Sequence, residues 1–142
     1  MQQDIDMLNR IRQTTQMGQI GIRAVLPDSG SAAFHEALNR QYAEYDSIHA
    51  EADRLLRQCR GQARDLPTGA RLAARLTAYW QHKRDTSVSK IAQIMIEGST
   101  KGVINSVRSQ HTLQVTDPRI TALADKLLKT QQQNITLMQR YL

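Results

Sequence analysis

The chain has 142 residues, the length of one ordinary domain, and carries a net charge of +6 with 40% apolar residues. Only 4% of the residues are aromatic and Gly and Pro together number ten (7 + 3). The core must therefore be aliphatic, and the composition favours helices over strands. A single cysteine, Cys59, excludes an intrachain disulfide. The start Met1-Gln2-Gln3-Asp4 lacks an apolar signal core, and no stretch reaches the ~20 apolar residues of a membrane span. A cytoplasmic location is the default expectation.

Asp4 is expected to open the first helix, with Ile5, Leu8, Ile11, Thr15, Gly18 or Gln19, Ile22 and Val25 on one stripe. The cluster Pro27-Asp28-Ser29-Gly30-Ser31 ends it, and Ser31 is placed to cap the next helix. In that second helix Phe34, Leu38, Gln41, Tyr45, Ile48, Ala52, Leu55 and Cys59 recur at alternating spacings of three and four. This is a heptad-like seam, and it ends near Gly61. The short turn between the two helices makes them an antiparallel hairpin.

From Gly61 to about Ser87 the pattern changes. Pro67, Gly69 and the charged Lys83-Arg84-Asp85 bound a short amphipathic helix with Leu72, Leu76, Tyr79 and Trp80 on one face. This segment reads as a crossover, its aromatics closing one side of the bundle or meeting a partner. A third long helix is expected from Thr86 or Ser87 to Ser109, then a loop from His111 to Thr116. Asp117-Pro118 starts the last helix, with Asp at the N-cap and Pro at the first turn. Its stripe is Ile120, Leu123, Leu127, Gln131, Asn134, Met138 and Tyr141. The expected fold is all-α: an antiparallel four-helix bundle of two hairpins joined by a long crossover with a short helix, in one domain over 1–142.

Residues 91–104, IAQIMIEGSTKGVI, and 120–142, ITALADKLLKTQQQNITLMQRYL, together with the second helix, resemble a family of short bacterial ferritin-like proteins of unknown function. The resemblance covers about residues 4 to 142, and it implies a ferritin-like fold without an activity. Di-iron bundles of that kind take a Glu from each of two helices and a Glu-x-x-His from each of the other two. This chain has four glutamates, Glu36, Glu44, Glu51 and Glu97, and no Glu-x-x-His. On the core stripe of the last helix stands Gln131-x-x-Asn134, two neutral amides that bring no charge to a metal.

Thr15, Gln41, Glu44, Gln131 and Asn134 are thus expected to form a polar core layer. It either fixes helix register by hydrogen bonding or holds a small molecule or a single divalent metal. No cofactor is assigned. Glu44, His49 and Glu97 are the weak candidates for metal ligands, and a metal-binding oxidative-stress protein predicts Glu44 and Glu97 inward and close together. Asp46-x-x-His49 has ligand spacing but reads as a solvated pair. Gly98-x-x-x-Gly102 would let a neighbouring helix pack closely, in the bundle or across a dimer, or admit a ligand or a partner's backbone, and Trp80 is a further packing or interface residue. Hydrolase, phosphate-loop and zinc signatures are missing, as is any nucleic-acid-binding module. The leading expectation is a non-enzymatic protein acting through self-assembly, as a homo-oligomer such as a dimer, or through protein binding. A coat or storage role is the other structural alternative.

Overall fold

The computed structural model describes every residue except 29, 68 and 82–86, and the side chains of 28, 80 and 81 are also outside the description. The described residues form α1 (Gln2–Val25), a 3₁₀ turn (Leu26–Asp28), α2 (Ala32–Gln58), α3 (Gly69–Gln81), α4 (Val88–Thr112) and α5 (Pro118–Gln139), with no strand among them. The expected all-α helical bundle is observed.

Local chemistry sets most boundaries. Ser31 Oγ accepts from Phe34 N at 3.4 Å, Ser87 Oγ from Lys90 N at 3.2 Å, and Asp117 Oδ1 from Arg119 N at 2.9 Å. Each bond satisfies one of the amides that a helix start leaves unpaired. The end of α2 is closed by Arg60 in the left-handed region (φ 55°), where glycine is the usual occupant. Two expected boundaries move. The first helix begins at Gln2 rather than Asp4, and α4 continues through His111 and Thr112.

Asp4 has another task. Its carboxylate accepts from Thr116 N (2.8 Å) and Thr116 Oγ1 (2.9 Å), and Gln3 Oε1 accepts from Gln114 N (2.6 Å). The start of α1 therefore lies beside the end of α4 and the start of α5. Arg119 Nη1 donates to Gln58 Oε1 at 2.7 Å, which sets the start of α5 beside the end of α2. Phe34 and Tyr141 meet ring to ring at 4.8 Å, joining the opposite ends of those two helices. So α1 and α5 run one way, and α2 and α4 the other.

The closest pairs are α1 with α2 and α4 with α5, with α1 also against α4 and α2 against α5. One apolar cluster fills the middle, including Leu8, Ile22, Phe34, Leu38, Ile91 and Ile120. α3 packs on α1. Its Leu72 and Leu76 are half-buried, while Tyr79 is exposed rather than closing the core. Trp80, expected to pack there or at an interface, falls among the side chains outside the description.

Candidate functional site: a buried amide layer beside an open groove

Four of the five residues read as a polar layer are buried. Gln41 and Gln131 are 1% exposed, Asn134 3% and Thr15 0%. α4 adds Ser99 and Ser106, and α2 adds Tyr45, all buried. Ser106 Oγ donates to Gln131 Oε1 at 3.0 Å. The amide nitrogens of Gln41 and Asn134 have no hydrogen-bond partner among the described residues. Each such donor forfeits its water bonds on folding, at a cost of about 1–3 kcal/mol. Burial pushes the Tyr45 phenol above its ordinary value.

Glu44 does not belong to the layer. It is exposed, one residue short of Tyr45 and so about 100° around the helix from the buried seam. Glu97 is exposed as well, and its Oε1 accepts from Gln93 Nε2 at 3.1 Å along the flank of α4. The reduced ligand set required both carboxylates inside, so that reading is corrected. Among the described residues no three His, Cys, Asp or Glu side chains gather as a metal site requires. The residues at the bundle centre do not fit a di-iron group, because neutral amides cannot compensate several positive charges in a low-dielectric interior.

His49 is also placed differently from its expected solvated pairing. Asp46 faces outward and accepts from Gln19 Nε2 at 3.2 Å. His49 is half-buried, its Nδ1 3.0 Å from Thr15 Oγ1 and its Nε2 3.5 Å from Asp53 Oδ2. A Thr-His-Asp series suggests a nucleophile, but the Thr15 hydroxyl donates to Arg12 O at 2.8 Å and is wholly enclosed. No substrate reaches it, so the group is a structural clasp.

That clasp continues into a network the stripes alone did not reveal. Arg12, 6% exposed, donates to Asp53 Oδ1 (2.5 Å), Asp65 Oδ1 (2.9 Å) and Arg64 O (3.0 Å). Asn9 donates to Gln62 O at 3.0 Å and accepts from Arg64 N at 2.7 Å. Gln16 donates to Asp65 Oδ1 and accepts from Leu66 N, both at 2.9 Å. The Gln16 amide, and then the Arg12 guanidinium, hold the Asp65 carboxyl below its usual range. Asn9, Arg12 and Gln16 follow one another at spacings of three and four. This second, polar stripe of α1 was the available signal.

Beyond this clasp α1 changes character. A groove of about 320 Å³ opens between α1, α3 and α4, walled by Gly18 and Gly21 on one side and Gly98 and Gly102 on the other. The four glycines differ. A β-carbon on Gly18 would press on the Tyr45 ring at 2.7–3.0 Å, and one on Gly102 would stand 3.1 Å from Gln131 Cδ, overlapping that amide's nitrogen. A β-carbon on Gly21 or Gly98 meets nothing within 4 Å among the described residues. Within the bundle, the Gly98-x-x-x-Gly102 pair admits a side chain of the neighbouring α5 at Gly102 and none of the described side chains at Gly98. No family model, curated protein or solved structure matches the chain.

Proposed function

We propose that this chain is a non-enzymatic helical-bundle protein acting through self-assembly or protein binding, on a ferritin-like frame whose metal centre is degenerate. The frame is supported by the helix directions. With α2 and α4 parallel and each hairpin antiparallel, residues 59–87 have the length of the bundle to travel, as a ferritin-like crossover does. The degeneracy is carried by one observation: the centre holds Gln41, Gln131 and Asn134, while Glu44 and Glu97 lie outside. A buried amide layer of this kind specifies helix register. Association is supported by large side chains left on the surface outside the groove, among them Tyr79 and Ile104, 44% and 45% exposed. No helix among the described residues is long and apolar enough to cross a membrane.

The test is metal analysis with analytical ultracentrifugation on protein purified without chelator. The expected outcome is no stoichiometric iron or manganese and a dimer in solution. Two metal ions per chain would overturn the degenerate centre, and a monomer at every concentration would overturn self-assembly as the mode of action.

A further inference from the structure

The groove is polarised along its length. Arg10 Nη1 donates to Ser109 Oγ at 3.2 Å, which sets the register of α1 against the antiparallel α4. That direction puts Val25 toward the Ile94 end of the groove and Thr14 toward the Asn105 end, with Gly21 and Gly98 between them. The Val25–Ile94 end is apolar and is bordered by Leu72 and Leu76 of α3. The Thr14–Asn105 end is polar, with Gln131 and Lys101 in its lining. Eleven residues of α4 separate the two ends, about 16 Å at 1.5 Å per residue.

Three features of this groove ask for an occupant. Gly21 and Gly98 both line it, each costing its helix about 1 kcal/mol against alanine, and no side chain of the described residues uses the space they leave. Gln131 is nine-tenths buried and more, lines the groove, and accepts through Oε1 from Ser106, while its amide nitrogen has no acceptor among the described residues. Lys101 borders the same end and stands in no ion pair among the described residues, while Glu97, whose carboxylate accepts from Gln93, lines the groove one turn away. An apolar trough that ends in a buried donor and a cation selects a molecule with an apolar tail and an anionic, hydrogen-bond-accepting head. The volume lies at the small end of the ~300–1,000 Å³ range of small-molecule sites.

We propose that the groove binds a medium-chain carboxylate. The tail lies between Gly21 and Gly98 toward Val25 and Ile94, under Leu72 and Leu76. The head accepts from the Gln131 amide and is neutralised by Lys101. This proposal is independent of the assembly reading, because it places a small molecule, not a second chain, in the groove.

The test is a backbone amide titration of the full ¹⁵N-labelled chain with octanoate below its micelle concentration. Butyrate and octanol serve as the short-tail and neutral-head comparisons. Saturable shifts are expected at Gly21, Gly98 and Gly102, with butyrate at least tenfold weaker than octanoate. Gly98→Leu, which puts its side chain into the groove, should melt no lower than the parent and weaken octanoate at least tenfold. Gly21→Leu fills the same space from the opposite wall and replaces it if the first variant does not fold. Lys101→Glu, on the surface, should weaken octanoate at least threefold and leave octanol unchanged. Shifts that are absent, unsaturable or scattered over the surface overturn the proposal, as does unaltered octanoate binding by the filled variants. Conversion of an oligomer to a monomer by Gly98→Leu also overturns it, because the groove would then belong to a second copy.

Discussion

The two halves of α1 are built on different terms. From Gln2 to Gln16 the helix buries Asp4, Met7, Leu8, Asn9, Ile11, Arg12 and Thr15, and Asn9, Arg12 and Gln16 bind residues 62–66 of the connection to its flank. From Met17 to Val25 only Ile22 and Val25 are buried, and two glycines face a groove. The same helix thus anchors the connection with hydrogen bonds at one end and leaves space beneath it at the other. Stability is concentrated where the polar bonds converge, and the free surface is concentrated where they stop. A site that admits another molecule has to come from the weakly packed part of a fold, and here that part is one half of a single helix.

The largest expected effect is at Arg12. Arg12→Met removes the cation that joins α1, α2 and residue 65, and leaves Asp53 without its shortest bond. Breaking a buried pair costs about 3–5 kcal/mol, and the partial exposure of Asp53 and Asp65 brings the expected loss to about 2–3 kcal/mol in denaturant unfolding. A loss below 1 kcal/mol would erase the contrast between the two halves. Next is Gly18→Ala, which forces a β-carbon against the rigid Tyr45 ring. Overpacking of ~1–3 kcal/mol, less ~1 kcal/mol of helix propensity, leaves an expected loss of about 1 kcal/mol. Gly21→Ala, one turn on and facing the groove, should instead raise the unfolding free energy by about 0.5–1 kcal/mol. Equal effects at Gly18 and Gly21 would show that the second half of α1 is packed uniformly.

The smallest effect concerns pH. The Asp65 carboxyl is held low in the folded chain by Gln16 and Arg12, so the unfolded chain takes up the proton first as pH falls. Its contribution is present above the unfolded value, near pH 4, and is lost as pH drops through the lower folded value. The stability difference between the parent and Asp65→Asn should be constant from pH 7 to about 5 and shrink below about 4. Because Asp65 is largely exposed, added salt should reduce that difference. A difference that grows on acidification would contradict the placement of Asp65 in the clasp.

Much of this was legible in the sequence where the causes are local. The caps at Ser31, Ser87 and Asp117 act within three residues, and Gln41, Gln131 and Asn134 sit in register with their apolar stripes. What escaped is set by distant partners. Asp4 reads as a cap for its own helix but bonds to Thr116, 112 residues away. Glu44 differs from its buried neighbours only by a rotation of the helix. Gly98 and Gly102 are equivalent as spacing, and nothing near them in the chain says that Gln131 fills one position and leaves the other empty.

That inequivalence is tested most directly by one paired measurement, the unfolding free energies of Gly98→Ala and Gly102→Ala. An open groove beside a filled amide layer requires opposite signs: Gly98→Ala gains about 0.5–1 kcal/mol, and Gly102→Ala loses stability because Gln131 must leave its bond to Ser106. A loss at Gly98, or a gain of the same size at both positions, would contradict the groove.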